Sequence, residues 1–426
     1  MKNFRFSKKV MMGAAIACVL SIGLTSCGED DGGEDPITQP GTSGVVNVSG
    51  DITSDVTWTA DKIYNLKSRV IVKSGATLTI EAGTIIKGDE GAEANAKPLV
   101  IARGAKIMAN GTATSPIIFT SILDNIAIGG KVGTNLNENR RGLWAGLIIL
   151  GDAPISPKTG TTDRIEGIPA SIPEGLYGGS NSADNSGVLQ YVSVRHAGVE
   201  LVPGGGNEIN GITLGGVGSG TTIDHIEVIA NLDDGIEWFG GTVDVSHALV
   251  GFQGDDAFDI DQAYSGTITN IAYLAGTDSD HALEIDGPEG ATQGAFTLNG
   301  GKLKGNKGEY ADFRSNAKGT VQNLYFWNFE TSADVELDAG DNNDDVKVST
   351  NYQNGDLVMM GCVFNSNNTL AAISSDKMAS PIANFNFDME FASDNNSIGT
   401  AAPAGFDKSQ FTGWTWADNK NLLSDF

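Results

Sequence analysis

The chain has 426 residues, with 27 basic against 53 acidic side chains, a net charge of −26, 56 glycines and 3 cysteines. A field of that sign excludes nucleic acid as an expected partner, because phosphate is held by clustered lysine and arginine. So few cysteines exclude a disulfide framework, and the length is ample for a large core.

Residues 1–26 read as an export leader. Lys2, Arg5, Lys8 and Lys9 form a basic stretch, and the apolar run from Met11 to Ile22 is too short to cross a bilayer as a helix. Leu24-Thr25-Ser26-Cys27 then matches the lipobox of bacterial lipoproteins, in which the cysteine is acylated and becomes the first residue. Loss of the four basic leader residues takes the net charge from −26 to −30. Residues 27–44 form an acidic tether: Gly28-Glu29-Asp30-Asp31-Gly32-Gly33-Glu34-Asp35 has nothing apolar to bury. This run resembles the signal that sends Bacteroidetes lipoproteins to the outer face of the outer membrane. The expected localisation is therefore the outer membrane, anchored by lipid on Cys27 and facing the cell exterior. Cys18 leaves with the leader, and Cys362, in the apolar run Leu357 to Phe364, is expected in the core.

From residue 45 to residue 375 the chain reads as all-β. Val70-Ile71-Val72, Leu78-Thr79-Ile80, Leu99-Val100-Ile101 and Ile117-Ile118-Phe119 are short β-branched runs, each followed by turn residues, and no helical period is sustained. An internal repeat decides the architecture. Gly220-Thr221, Gly241-Thr242 and Gly266-Thr267 open units 21 and 25 residues apart. These units run to Ile236-Glu237-Trp238, Phe258-Asp259-Ile260 and Leu283-Glu284-Ile285, and a unit from Gly319-Thr320 to Val335-Glu336-Leu337 follows the same frame. The fixed leucine spacing of a leucine-rich repeat is absent. A right-handed parallel β-helix (a solenoid) with N- and C-terminal caps fits, with three short sheets per coil. Asp51 to Leu66, with Trp58 and Tyr64, is expected to cover the first coil. The Pro- and Gly-rich stretch Ser156 to Ser186 is expected to project as a loop, and residues 376–426, with Trp414 and Trp416, to form the C-terminal cap.

Asn210-Gly211-Ile212-Thr213-Leu214-Gly215, Asp233-Asp234-Gly235-Ile236-Glu237-Trp238, Val192-Ser193-Val194-Arg195-His196-Ala197-Gly198 and Gly75-Ala76-Thr77-Leu78-Thr79-Ile80 resemble predicted β-helix surface proteins of Bacteroidetes and marine bacteria. The resemblance covers most of the chain after residue 50. It implies the fold and little about activity.

Aligning the repeats places Ile236, Phe258, Leu283, Phe313 and Val335 in one inward column. Strand alternation then turns Glu237, Asp259, Glu284, Asp312 and Glu336 outward, with Phe239, Asp261, Asp286, Arg314 and Asp338 two places further on. The preceding turns add Asp233, Asp255 and Asp280, then Asp234, Asp256 and His281. Charges about 4.8 Å apart repel by about 1 kcal/mol in bulk water and several times more where water is excluded. Such a face either stays solvated, caps backbone amides, or holds a cation or ligand. Glu237, Asp259, Asp261, Glu284 and Asp286 are the expected ligand-binding residues, and calcium is the cation to expect at Asp255, Asp256 and Glu284.

A second resemblance is to the polygalacturonase family of glycoside hydrolases. Asn231-Leu232-Asp233, Gly254-Asp255-Asp256, Asp280-His281-Ala282 and Arg314 are similar to its motif series. It implies Asp256 as general acid, Asp233 and Asp255 as activators of water, His281 beside them, and Arg314 as a carboxylate clamp. The glycines around His281 are missing, and Asn316 stands where the family has lysine. His225 and His247 lie on neighbouring repeats but lack an evident third metal ligand. Three functions remain open: a non-enzymatic surface lipoprotein that binds a carbohydrate or other ligand, beside an outer-membrane transporter; a hydrolase or lyase on acidic polysaccharide; and an adhesive or structural spacer.

Replacing Cys27 by Ala should shift the protein from the membrane fraction to the soluble fraction. Replacing Glu29, Asp30 and Asp31 by Ala should leave it acylated but shielded from protease added to intact cells.

Overall fold

The computed structural model describes residues 44–92, 95–200, 208–338, 347–377 and 382–426. Cys27, the leader and the tether as far as residue 43 lie outside the described residues. No described helix is long and apolar enough to cross a membrane.

Short β-branched runs cannot bury a face alone, so each pairs with the equivalent run one coil on. The result is a parallel β-helix. One sheet has ten parallel strands, from Val70–Val72 through Ile212–Gly215, Ile236–Phe239, Phe258–Asp261 and Leu283–Ile285 to Ser374–Asp376. The second set contains long strands such as Thr222–Ile229, each bent at one residue with positive φ. In earlier coils the two halves are separate strands. Lys106–Asn110 pairs with the first half of Gly187–Arg195, and Ile117–Ser121 with the second. Each coil therefore contributes to three sheets, as the repeat implies. The previous coil's backbone requires the glycines that open the repeats. A Cβ at Gly241 or Gly266 would fall 2.5 or 2.1 Å from the carbonyl oxygen of Val217 or Val243.

Side chains stack inside in straight columns. Ile212, Ile236, Phe258 and Leu283 form one, continued by Ala311 and Val335. Phe313, expected in that column, stands in the next, with Trp238, Ile260, Ile285 and Leu337. A shift of two residues keeps every side chain on its face, so the period-2 pattern does not reveal it. All five expected inward residues are buried, as is Cys362.

The ends and the excursion differ from expectation. Asp51 to Leu66 is itself part of the helix rather than a cover. The Val45–Val48 and Ile63–Leu66 strands pair, and Trp58 and Tyr64 stack at 4.9 Å within the core. At the other end the helix Phe387–Ser393 brings Phe387 and Phe391 against Tyr352 and Phe364. Trp414 and Trp416 sit on the flank instead. Phe411, Trp416, Ala417 and Leu423 cover Ile229, Leu249, Ala272 and Leu274, which point out of the long strands. The Ser156 to Ser186 stretch does not project. Ile165, Ile168 and Tyr177, together with Ile155, pack on Ile71, Val100, Ile148 and Leu150, an apolar row that would otherwise meet water.

Phe258→Ala should lower stability by about 3–5 kcal/mol in urea denaturation. Ile128→Ala, at a side chain 45% exposed, should change it by no more than about 0.5 kcal/mol.

Candidate functional site

The outward row of the ten-stranded sheet changes character along its length. Ile71, Val100 and Ile148 lead to Thr213, and then to Glu237, Asp259, Glu284, Asp312, Glu336 and Ser375. The apolar part lies under the excursion, which reaches as far as Phe239 beside the first acidic residues. The expected ladder is thus real and in register. Beside it Phe239 pairs with Asp261, and Asp286, Arg314 and Asp338 continue that row.

The turn aspartates are built into the backbone. Asp234 Oδ1 accepts the N–H of Asp256 at 2.9 Å, one coil on. Asp256 Oδ1 accepts the N–H of His281 at 2.7 Å and its Nδ1–H at 2.8 Å. Each of these carboxylates therefore caps the next coil, which accounts for Asp at this turn in successive repeats. Three cations relieve the far end. His281 Nδ1 is 3.7 Å from Glu284. Arg314 pairs with Glu284, donates from Nε to Asp286 at 2.6 Å and lies 3.8 Å from Asp312. Lys377 reaches Glu336 at 2.6 Å and Asp334 at 3.4 Å. At the near end Asn210 Nδ2 donates to Glu237.

The ladder is buried, not solvated: Glu237, Asp259, Glu284 and Asp312 are 5–9% exposed. Tyr177 of the excursion packs edge-on against Phe239, and Glu166 adds its charge to those of Asp234 and Glu237. Burial, reinforced by neighbouring carboxylates, holds Asp234, Glu237, Asp259 and Asp261 well above the ordinary carboxylate range. The same causes push Asp312 up to about 7, against the opposing charge of His281. Glu309 is pushed up to about 9 by burial and by Asp334 and Glu336. For His281, burial opposes the charge, but the Asp256 hydrogen bond and the charges of Asp256, Asp280 and Asp312 outweigh it and raise the imidazole to about 10.

On this face, Asp233–Asp234–Asp255, Asp234–Glu237–Asp259, Asp256–His281–Glu284 and Glu309–Asp334–Glu336 each bring potential ligand atoms within 4.8 Å of one another. Oxygens on opposite sides of a calcium ion are about 4.8 Å apart, so the clusters made of carboxylates alone suit that ion. Asp259 Oδ1 has no hydrogen-bond partner among the described residues. Of the three residues expected to hold calcium, Asp255 groups with Asp233 and Asp234, whereas Asp256 and Glu284 group with His281.

The residues of the hydrolase-like motif fall on adjoining coils but are already engaged. Asp256 accepts two hydrogen bonds from His281, an arrangement suited to an anion rather than a proton donor. Arg314 spends its fork on protein carboxylates. Sequence reasoning missed Asn210, Glu309, Glu166 and Lys377. Glu309 pairs with His281 across the coils, but an inserted loop obscures its place in the repeat. The other three lie outside the repeated strand.

A family model described as a pectate-lyase-like beta helix domain matches residues 50–419. No curated protein and no solved structure matches the chain.

The shifted groups of this face tilt stability the same way. A raised carboxylate keeps in the folded chain a proton that the unfolded chain releases from about pH 4, so folding weakens as the pH climbs to the folded value. His281 adds stability below about pH 6.5 that is lost as pH rises through about 10. In chelator, the urea midpoint should fall steadily from about pH 5 to about pH 9. Asp259→Asn should raise the midpoint at the alkaline end, and His281→Gln should flatten the slope above about pH 7.

Proposed function

The chain belongs to the pectate-lyase-like β-helix family, and on that premise we propose that it binds a polysaccharide, without turnover, along its acidic outer face. Calcium ions neutralise the stacked carboxylates and bridge them to anionic groups of the glycan. The observation that carries this reading is the buried row Glu237, Asp259, Glu284 and Asp312. Adjacent carboxylates sheltered from water need protons or cations, and calcium supplies two charges per ion to preformed oxygen clusters. Asp255, Asp261 and Asp286 border that row and form the more accessible part of the surface, while Asp233 is buried beside Asp255. In the proposed setting, lipid on Cys27 holds the protein at the outer membrane, facing outward, where it presents the captured glycan to an outer-membrane transporter.

A second reading is a hydrolase or lyase acting on acidic polysaccharide. Its support is the Asp256–His281 contact and the Asp233–Asp255 grouping on adjoining coils. Under this reading a substrate would have to release Asp256 and Arg314 from their present partners.

One set of measurements separates these readings. Calcium should raise the thermal midpoint, by an amount equivalent to about 2.7 kcal/mol at a hundredfold excess over its Kd. Retention of pectin or a related acidic glycan should appear with calcium and vanish with chelator. Both responses should be lost when Asp255, Asp256 and Glu284 are neutralised together. New reducing ends or unsaturated products that disappear in Asp256→Asn would establish the enzyme instead. No response to calcium and no retention of glycan would leave a surface spacer and reject the proposal.

A further inference from the structure

A different side-chain cluster lies at a corner of the β-helix, on the outside of the long strands. Tyr191, His225, His247 and Asn270 occupy one position on four successive coils, where φ is 49°, 55°, 56° and 52°. This left-handed corner aligns the side chains one above another. The His225 ring is stacked between Tyr191 at 4.2 Å and His247 at 4.3 Å. Such conformations cost energy in residues other than glycine and gather at functional sites.

The C-terminal segment closes over this corner. Asn270 exchanges two hydrogen bonds with the backbone of Asp407, at 2.8 and 3.2 Å. Trp414 meets Tyr191 and His225 edge-on. Gln410 Nε2 donates to Asp407 Oδ2 at 2.8 Å, which turns Gln410 Oε1 toward His225 Nε2, 3.0 Å away. An amide oxygen only accepts, so His225 Nε2 carries a proton. Its other nitrogen, Nδ1, is buried 2.9 Å from Asp224 Oδ2 but outside hydrogen-bonding geometry. A bare lone pair facing a carboxylate is repelled, so a positive charge is called for between them. Asp224 Oδ1 also accepts from His247 Nδ1 at 2.6 Å and from Ser246 Oγ at 2.8 Å, while Gln190 Nε2 lies 3.4 Å from Oδ2.

We propose that Asp224, His225 and His247 form a site for a first-row divalent metal ion, zinc being the natural candidate, bound beneath the C-terminal clasp. Potential ligand atoms of the three residues lie within 4.8 Å of one another. Two imidazole nitrogens and a carboxylate oxygen are a known zinc donor set that leaves one position for water. His225 would bind through Nδ1 while donating Nε2–H to Gln410, the outer-shell arrangement that fixes a metal-binding imidazole. The His247 side chain is 26% exposed and provides the way in. The other two histidines of the chain are engaged elsewhere, His196 with the Arg140 carbonyl and His281 with Asp256.

The test is a titration of the full chain with Zn2+ alone, repeated in the presence of excess Ca2+, with Co2+ as a spectroscopic substitute. One Zn2+ should bind per chain without competition from Ca2+, and Co2+ should give a visible spectrum typical of low coordination number. His247→Gln and Asp224→Asn should each weaken Zn2+ more than about 100-fold, and Gln410→Ala about tenfold. Neutralising Asp255, Asp256 and Glu284 together should leave Zn2+ binding unchanged. If the wild type takes up no Zn2+ saturably, the site does not exist. Binding that survives His247→Gln and Asp224→Asn but is lost with the acidic-face variant would place the metal on the ladder and equally overturn the proposal.

Discussion

In a parallel β-helix every residue sits about 4.8 Å above its counterpart one coil below. Like stacks on like, without the freedom a hairpin has to set an acid opposite a base. For apolar positions this is favourable, and Ile212, Ile236, Phe258 and Leu283 form a continuous core column. For acidic positions the same geometry is costly, because Glu237, Asp259, Glu284 and Asp312 are forced into proximity by the backbone that stabilises the core. The raised carboxyls are the direct result of that conflict.

The chain resolves the conflict in different ways along its length. Toward the C-terminal end His281, Arg314 and Lys377 lie among the acids. Toward the N-terminal end the outward row becomes apolar and is covered by the excursion. Between them lie Asp234, Glu237 and Asp259, where charge relief comes least from protein cations and a calcium ion has most to gain. Stacking also explains the corner. Ring side chains repeated in a left-handed position stack in layers at Tyr191, His225 and His247, and Asp224 meets both imidazoles.

Much of this was legible from residue order. The Gly-Thr openings and the apolar-acidic-apolar strands establish the coil, the inward face and the outward acidic row, because a strand's alternation depends only on neighbours in the chain. The misassignment of Phe313 shows where that reasoning ends. Alternation is blind to a slip of two, and only pairing with Ile285 and Leu337 places the residue. Which of the three fates of the ladder applies was not legible for a related reason. Outward does not mean exposed once a distant excursion and the turns close around a face.

The sequence by itself determined the β-helix, its core and the stack of carboxylates, all properties that repeat with the chain's own period. Tertiary structure decided what lies against those stacks. Asn231 and Asp233 belong to a motif in the sequence, but Asp256 is tied to His281 by a contact across 25 residues. His225 and His247 lacked a third ligand on paper, and the turn at the corner directs Asp224 to both. Trp414 and Trp416, read as an end cap, pack instead on the flank, and Gln410 reaches His225 from 185 residues away. Non-local contacts of this kind depend on where an irregular segment finds an uncovered surface, which no local period encodes.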